Sequence, residues 1–355
     1  MATWKKEILL RENGESTAMQ VPEIVSASRS TDIPAFYADW FFHRLNVGYS
    51  AWTNPFNGVK SYVSYKNTRF IVFWSKNPKP LLKHLDTLSN KGIGCYIQYS
   101  LNDYVKEGLE KGVPNLLDRI DTFKRLVDKL GFGGVIWRFD PLILTEKIHI
   151  EDLLQRIEYI GNTLKGYTEK LVFSYADILQ YRKVKLNLER NGILYKDWDE
   201  DSMKLFAQNL ASLNKRLHLS LATCGERIDL SMYGIMHNHC IDDELIIKRA
   251  YNDKTLMKFL KVNMYPMPTP TLFGDTEPIP NSAILLPNNM YAIRGDNKDK
   301  GQRDFCGCMC SKDIGEYNTC AHLCEYCYAN TSKAIAVKNL NQHRLNPLGE
   351  TITGR

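Results

Sequence analysis

A repeated alternation between short β-rich apolar runs and longer amphipathic stretches is the feature that most constrains the fold of this 355-residue chain. The apolar runs occupy residues 23–27, 70–74, 94–99, 134–138, 170–174 and 217–222. Stretches with apolar residues at helical spacing occupy residues 35–46, 78–91, 115–130, 150–164 and 200–215. Strands that alternate with helices form parallel sheets, because each helix returns the chain to the starting edge of the sheet. The pattern predicts an α/β fold with a parallel sheet, either doubly wound or closed partly or completely into a TIM-like (βα) barrel.

The repeats divide the chain into four segments. We expect residues 23–250 to form the (βα) repeats of the barrel, and residues 1–22 to form an N-terminal hairpin extension that turns at Asn13 and Gly14. Residues 251–298 are expected to form an insertion or lid, because prolines exclude a long helix or a central strand there. The prolines are Pro266, Pro268, Pro270, Pro278, Pro280 and Pro287. Residues 299–355 form a cysteine-rich segment that we expect to complete the barrel.

Polar residues stand where the apolar runs end. Arg29, Lys76 and Arg138 lie at or just beyond the ends of three runs, and Asp32 and Asp140 follow close behind. Because the carboxyl ends of parallel strands meet at one edge of a sheet, these loops are expected to carry an active site. A purely structural role is the alternative for any single loop, since polar residues also favour helix caps and turns.

Nine cysteines are present, and six of them lie between residues 306 and 327. No apolar run is long enough for a signal-peptide core before Arg11, or for a bilayer span anywhere. We therefore expect a cytoplasmic protein, in whose reducing surroundings clustered thiols bind metals or do redox chemistry rather than form disulfides. The 46 basic and 40 acidic residues are evenly spread, which favours a small-molecule or peptide substrate over a nucleic acid.

Three of the cysteines form a compact motif, CAHLCEYC, with thiols at Cys320, Cys324 and Cys327. Thiolates at this spacing on one loop can hold three irons of a cubane cluster, and the fourth iron then has no protein ligand. Chemistry at a cluster requires such an open position. A zinc ion is the alternative, although structural zinc normally takes four ligands and this loop offers three.

With Tyr326 just before its last cysteine, the motif resembles the CxxxCxxC signature of the radical S-adenosylmethionine (SAM) enzymes. The sequence CEYCY is most similar to the spore photoproduct lyase type of loop. The resemblance implies a [4Fe-4S] cluster on Cys320, Cys324 and Cys327, and SAM bound to its open iron. It also implies reductive cleavage of SAM to a 5'-deoxyadenosyl radical that removes hydrogen from a substrate, with an electron donor such as flavodoxin or ferredoxin.

The position of the motif departs from these enzymes. Their cysteine loop usually follows the first barrel strand, whereas Cys327 lies 28 residues from the end of this chain. We expect a circularly permuted barrel in which the cluster-bearing strand, at residues 314–317, comes last and docks beside the run at 23–27. A helix at residues 333–341 would follow the loop. A separate ferredoxin-like module at the C-terminus is the alternative.

Most of the chain also resembles the uncharacterised bacterial family called domain of unknown function 1848. The resemblance rests on the segments 24–34 (IVSASRSTDIP), 72–78 (VFWSKNP), 137–141 (WRFDP), 298–303 (KDKGQR) and 313–320 (DIGEYNTC). It implies no particular substrate.

The family pattern also implies a second, fully ligated [4Fe-4S] cluster. Its ligands are expected to be Cys224, Cys240, Cys306 and Cys308. Cys310 is a possible substitute, and zinc bound by some of these thiols with His237 or His239 is the alternative. Cys95 lies inside an apolar run and is expected to be a core residue.

The radical SAM resemblance assigns further residues to SAM. We expect the backbone around Tyr326 to contact adenine. Candidates for the SAM carboxylate are Arg29, Lys76 and Arg138, and candidates for its ammonium group are Asp32 and Asp140. The alternative for Arg138 and Asp140 is a mutual ion pair at the barrel mouth.

Three aromatic residues near strand ends are expected either to wall the substrate or to belong to the core: Trp74, Tyr99 and Trp137.

Two other classes of function fit parts of the sequence. A non-catalytic iron–sulfur or zinc protein, acting in redox sensing or nucleic-acid binding, would explain the cysteines but not the polar strand ends. A nucleic-acid repair enzyme similar to spore photoproduct lyase is the other alternative. Binding of SAM distinguishes the sensor from the enzymes, since a sensor needs no open iron.

Overall fold

The computed structural model describes residues 4–54, 57–269, 278–287, 289–303 and 305–355. Its strands are β1 Lys6–Leu10, β2 Ser16–Gln20, β3 Ile24–Ala27, β4 Tyr49–Thr53, β5 Lys60–Ser64, β6 Phe70–Ser75, β7 Gly94–Ser100, β8 Val135–Leu142, β9 Leu144–Thr145, β10 Lys170–Tyr175, β11 Tyr195–Lys196, β12 Ser220–Thr223, β13 Ile235–His237, β14 Asn263–Pro266, β15 Ile284–Leu286, β16 Met290–Ile293 and β17 Lys312–Asp313.

The α-helices are α1 Ile33–Phe36, α2 Ala38–Val47, α3 Leu85–Asn90, α4 Leu116–Leu130, α5 Ile150–Thr163, α6 Arg182–Arg190, α7 Glu200–Leu217, α8 Asp243–Ala250, α9 Lys254–Phe259 and α10 Lys333–Leu345. Short 3₁₀-helices lie at Lys79–His84 and Ser231–Tyr233. In the described part of the chain, no helix is both long and apolar enough to cross a membrane.

An eight-stranded parallel sheet forms the centre of the molecule, in the order β13-β12-β10-β8-β7-β6-β3-β17. The predicted α/β fold with a parallel sheet is therefore confirmed. The six apolar runs correspond to β3, β6, β7, β8, β10 and β12. Helices follow β3, β6, β7 and β8 where amphipathic stretches were expected, and α7 precedes β12.

Both faces of this sheet are buried, as expected of parallel strands covered by helices. On one face, Trp137 and Phe173 belong to a core that includes Ile157 of α5 and Phe206 of α7. On the other face, strand residues pack against α8, α9 and the strands β15 and β16. The alternation of side chains along each strand therefore supplies two apolar layers from one sheet.

The first and last parts of the 251–298 segment are described, whereas residues 270–277, which include Pro270, and residue 288 lie outside the described residues. Strands β14, β16 and β15 form a small antiparallel sheet there. Ile284 and Ala292 of this sheet are buried against the large parallel sheet. At the N-terminus, β1 and β2 form an antiparallel hairpin that joins β5 and β4 in a four-stranded sheet.

The last strand of the parallel sheet lies earlier in the chain than expected. The expectation of a strand at residues 314–317 was wrong, because β17 comprises only Lys312 and Asp313 and pairs in parallel with β3. The side chain of Asp313 diverts the backbone: it accepts hydrogen bonds from Ser28 Oγ at 2.8 Å, from the backbone N–H of Arg29 at 2.8 Å and from that of Gly315 at 3.0 Å. The chain therefore leaves the sheet as soon as it has paired with β3.

The close approach between the loop after β17 and Ser28 requires a glycine at position 315. A Cβ there would lie 1.8 Å from Ser28 Oγ. We expect Gly315→Ala to lower the free energy of unfolding by about 1–3 kcal/mol, because the loops after β3 and β17 can no longer pack. Urea denaturation followed by circular dichroism measures the change.

Ser28→Gly provides the control, because it removes both of the Ser28 atoms that crowd position 315. The double variant should be more stable than the sum of the two single changes predicts. Simple additivity would contradict the close approach as the cause.

Candidate functional site

The carboxyl ends of the parallel strands open onto a cavity of ≈ 520 Å³. The loops after β3, β6, β10 and β12 contribute to its wall, together with residues of the carboxyl-terminal half of β8. Parallel strands place these loops at one edge of the sheet, where α/β proteins bind their ligands. The polar strand ends that the sequence singled out are therefore brought together.

Both groups of cysteines line this one cavity. Its cysteines are Cys224, Cys240, Cys306, Cys308, Cys320, Cys324 and Cys327. Two cysteines lie elsewhere: Cys310 is outside the cavity wall, and Cys95 is 7% exposed and packs in the core as expected. Residues separated by about a hundred positions in the chain thus share one site.

The CAHLCEYC loop is held in place by hydrogen bonds to several elements. Tyr37 Oη donates to the carbonyl of Thr319 at 2.6 Å, just before the first cysteine. The N–H of Glu325 donates to Leu109 O at 2.9 Å, and Asn330 Nδ2 donates to Cys320 O at 2.8 Å. The loop carries no regular secondary structure, so these contacts determine its shape.

Asp32 connects this loop to two strand ends. Its carboxylate lies 2.7 Å from His322 Nε2, accepts from Ser75 Oγ at 2.7 Å and from the N–H of Lys76 at 2.7 Å, and caps α1. Burial acts to raise the pKa of Asp32, but the hydrogen bond and charge of His322 and the bonds from Ser75 and Lys76 outweigh it, so the pKa is lowered. The carboxylate is therefore fully engaged by groups of the protein.

A second buried carboxylate lies beneath Tyr326. Glu110 Oε1 accepts from Lys76 Nζ at 2.9 Å and also from Tyr326 Oη, and Lys76 Nζ donates to Tyr326 Oη at 2.9 Å. Arg119 Nη1 lies 3.9 Å from the other oxygen of Glu110. Burial opposes ionisation of Glu110, but Lys76 and Arg119 lower its pKa below the usual range. The hydroxyl group of Tyr326, the aromatic residue of the cysteine motif, is therefore hydrogen-bonded to a buried network of charged side chains.

Hydrogen-bond donors surround the second group of cysteines. Cys240 Sγ accepts hydrogen bonds from Arg138 Nη1 at 3.1 Å and from Asn238 Nδ2 at 3.3 Å. Cys308 Sγ accepts a hydrogen bond from the backbone N–H of Cys240 at 3.2 Å. The sulfurs of Cys224 and Cys240 are 3.1 Å apart. Donors of this kind stabilise thiolates and the clusters they bind.

The arginines of the cavity differ in their pairing. Arg138 forms an ion pair with Asp140, which also accepts from Ser174 Oγ. Arg29 has a buried Nη2 with no hydrogen-bond partner in the described residues. Both guanidinium groups lie over the ring of Trp74, at 5.7 Å for Arg29 and 5.2 Å for Arg138.

Among the three aromatic residues considered from the sequence, only Trp74 lines the cavity. Trp137 and Tyr99 are both 0% exposed and belong to the core.

The two histidines of the zinc alternative lie outside the cavity wall. His237 is exposed, and His239 packs against Gly307, where a Cβ would meet its ring at 2.1 Å. His239, Asp242 and Asp243 have ligand atoms within 4.8 Å of one another. Arg294 already forms an ion pair with Asp243, and Lys170 lies 3.8 Å from Asp242.

Several cavity and network residues were not found from the sequence. His322 could have been noticed, because it lies inside the cysteine motif. Glu110 lies in an irregular loop without any pattern that marks it. Asp177 and Glu226 stand in polar strand-end loops but were not distinguished from turn residues. Burial raises the pKa of Glu226 to about 8.

A family model described as Domain of unknown function (DUF1848) matches residues 24–329. The chain belongs to this family. The DUF1848 match begins with β3 and ends just after the cysteine loop, so it contains every cysteine of the cavity and leaves out the β1–β2 hairpin and α10. No curated protein and no solved structure is significantly similar to the chain.

The network beneath Tyr326 predicts the effect of neutralising Glu110. Glu110→Gln keeps the size of the side chain but leaves Lys76 and Arg119 buried without their counter-charge. We expect the free energy of unfolding to fall by about 3–5 kcal/mol. Urea denaturation of the purified apoprotein measures it.

Glu158→Gln is the matched control, because Glu158 pairs with Arg216 at the exposed surface. This variant should change stability by less than about 1 kcal/mol. Equal effects of the two substitutions would contradict the role of Glu110.

Proposed function

We propose that this DUF1848 protein is a radical SAM enzyme. Cys320, Cys324 and Cys327 would hold a [4Fe-4S] cluster with one open iron, and SAM would bind there. The observation that carries the proposal is the presentation of three thiols by one loop, in a cavity at the carboxyl ends of a parallel sheet. A volume of ≈ 520 Å³ lies within the range of about 300–1,000 Å³ found for small-molecule sites.

The donor set fits a cluster better than a single metal ion. Four thiolates around zinc lie about 3.8 Å apart, as follows from tetrahedral bonds of about 2.3 Å. In the described residues, the group with all ligand atoms within 4.8 Å is His239, Asp242 and Asp243, and no three cysteine sulfurs are that close. Thiolates that bind different irons of a cubane lie farther apart than those around one zinc ion, so the wider spacing of the loop sulfurs is compatible with a cluster.

The chemistry supplied at such a site is one-electron cleavage of SAM to methionine and a 5'-deoxyadenosyl radical, which then removes a hydrogen atom from the substrate. A flavodoxin or ferredoxin would provide the electron. The protein's own part is to orient the reactants and to exclude water from the cavity.

The charged side chains of the cavity would have two roles, direct contact with SAM and positioning of the cysteine loop. Among the arginines that line the cavity, Arg29 has a buried Nη2 without a hydrogen-bond partner in the described residues, so it is the best candidate for the SAM carboxylate. Lys76, through Glu110 and Tyr326, and Asp32, through His322, would position the cysteine loop. Their existing partners make Asp32 and Lys76 weaker candidates for direct contact with SAM, and the same holds for Arg138 and Asp140. The backbone near Tyr326 would contact adenine.

An auxiliary cluster on Cys224, Cys240, Cys306 and Cys308 completes the proposal. The hydrogen bonds that Cys240 and Cys308 receive support metal-bound thiolates. The Cys224 and Cys240 sulfurs, 3.1 Å apart, would have to separate to bind either a cluster or zinc. Cys310 is a weaker ligand candidate, because it lies outside the cavity wall.

We further propose that the sheet is a circularly permuted partial barrel. The pairing of β17 with β3 supports this, since the strand that leads to the cysteine loop comes last in the chain and lies beside the first strand of the repeats. A separate C-terminal module would not pair with β3 in this way.

Anaerobic reconstitution tests the proposed function. We expect about eight irons per chain if both clusters form, and 5'-deoxyadenosine on addition of dithionite and SAM. Cys324→Ala should reduce the yield of 5'-deoxyadenosine to background, because the open cluster loses a ligand. Chromatography of the quenched reaction measures the product.

Cys95→Ala is the matched control, because Cys95 lies in the core away from the cavity. It should retain both the iron and the product. About one zinc per chain with no iron, or an unchanged yield in Cys324→Ala, would contradict the proposal.

A further inference from the structure

We infer that α6, α10 and Lys111 form a docking surface for an acidic one-electron carrier protein. We term this surface the basic face; it flanks the CAHLCEYC loop. The inference rests on the proposed function, because it assigns the place where the partner that supplies the electron binds.

Helix α6 lies along the cysteine loop. Before its first residue, the ring of Tyr181 lies 5.8 Å from that of Tyr328, which directly follows the last cysteine. Just after its last residue, Asn191 Nδ2 donates to Glu325 Oε2 at 2.9 Å. Glu325 stands between the second and third cysteines of the motif. Both ends of the helix are therefore attached to the loop.

Glu325 also joins the other parts of the basic face to this loop. Its Oε1 forms ion pairs with Lys333, at the start of α10, and with Lys111 at 3.2 Å. The N–H of Gly112 donates to His322 O at 2.9 Å, so the segment that carries Lys111 is fixed to the loop as well. Two lysines share one carboxylate, which leaves positive charge in excess.

The charge of the two helices is one-sided. Helix α6 has four lysines or arginines and one glutamate, and α10 has three lysines or arginines and no acidic residue. Together they carry as much net positive charge as the whole chain, which is +6. Among the described residues, Arg182, Lys183 and Lys338 are exposed and form no ion pair. Such charges attract an acidic protein and accelerate its association.

Exposed apolar side chains stand among these charges. Val337 and Leu345 are 40% and 79% exposed, and they share one side of α10 with Lys333 and Lys338. Apolar contacts within a charged rim are typical of protein interfaces. A nucleic acid would match the positive charge, but it would leave the apolar side chains unused and would supply no electron. An acidic carrier protein fits both features.

The electron balance of the proposed reaction requires such a carrier. The reduced carrier is oxidised by one electron, and SAM gains this electron as its C5'–S bond breaks to methionine and the 5'-deoxyadenosyl radical. Arg182, Lys333 and Lys338 lie outside the cavity wall. A carrier on the basic face would therefore reach the cysteine loop without competing with SAM or the substrate for the cavity.

Calorimetric titration of the reconstituted protein with oxidised flavodoxin tests the inference. We expect measurable binding at low salt that weakens as salt screens the charges. Arg182→Glu combined with Lys338→Glu should weaken binding at least tenfold, because both charges are reversed. The initial rate of 5'-deoxyadenosine formation with reduced flavodoxin should also fall at least tenfold. The rate with dithionite should be unchanged, since a small reductant needs no docking surface.

Lys165→Glu combined with Lys215→Glu is the matched control, because it makes the same change in net charge. Both lysines are exposed, one just after α5 and one in the last turn of α7. These helices lead into β10 and β12, so their ends lie at the edge of the sheet opposite the cysteine loop. The control should bind flavodoxin like the parent protein.

Three outcomes would overturn the inference. They are absence of flavodoxin binding to the parent protein, equal loss of binding in the control, and unchanged binding in the Arg182 and Lys338 variant. A short duplex DNA that binds more tightly than flavodoxin, and loses affinity in that variant, would assign the basic face to nucleic acid and would also overturn it. Parent protein that forms no 5'-deoxyadenosine with dithionite contradicts the proposed function instead.

Discussion

The docking of the C-terminal segment onto the loop after β3 is the contact on which the rest of the structure depends. β17 has only two residues, so its ladder with β3 is too short to hold the cysteine loop in place. Two carboxylates provide the missing contacts: Asp313 binds the Ser28 loop, and Asp32 binds His322 inside the cysteine motif. Hydrogen bonds to charged groups contribute about 1.5–3 kcal/mol each. A few buried polar groups thus place the last part of the chain at the edge where the first strands end.

This arrangement also accounts for the electrostatics of the cavity. Lys76 pairs with Glu110 beside the cysteine loop, and Arg138, which donates to Cys240, pairs with Asp140. Paired groups stay rigid and hold neighbouring residues in position, which suits the support of a cofactor. After β12, burial instead raises the pKa of Glu226 to about 8, and the charge of Arg303 opposes this rise.

The elements that the sequence predicted well are those with strong local patterns. Runs such as 70–74 and 170–174 are buried on both faces, and their β-rich apolar composition identifies them as parallel strands. The strand expected at 314–317 was wrong because the side-chain contacts of Asp313 end the pairing at residue 313, and no local pattern records such contacts. Glu110 was missed for a similar reason: its role depends on Lys76 and Tyr326, which are distant in the chain.

The central claim is that Cys320, Cys324 and Cys327 hold a cluster whose open iron binds SAM. Crystals grown anaerobically with SAM, measured on both sides of the iron absorption edge, test it most directly. The account predicts an anomalous iron peak of cubane shape bonded to these three sulfurs, with the amino and carboxyl groups of SAM on the remaining iron. A zinc ion bound by these cysteines, or iron with a fourth ligand from the protein, would contradict it.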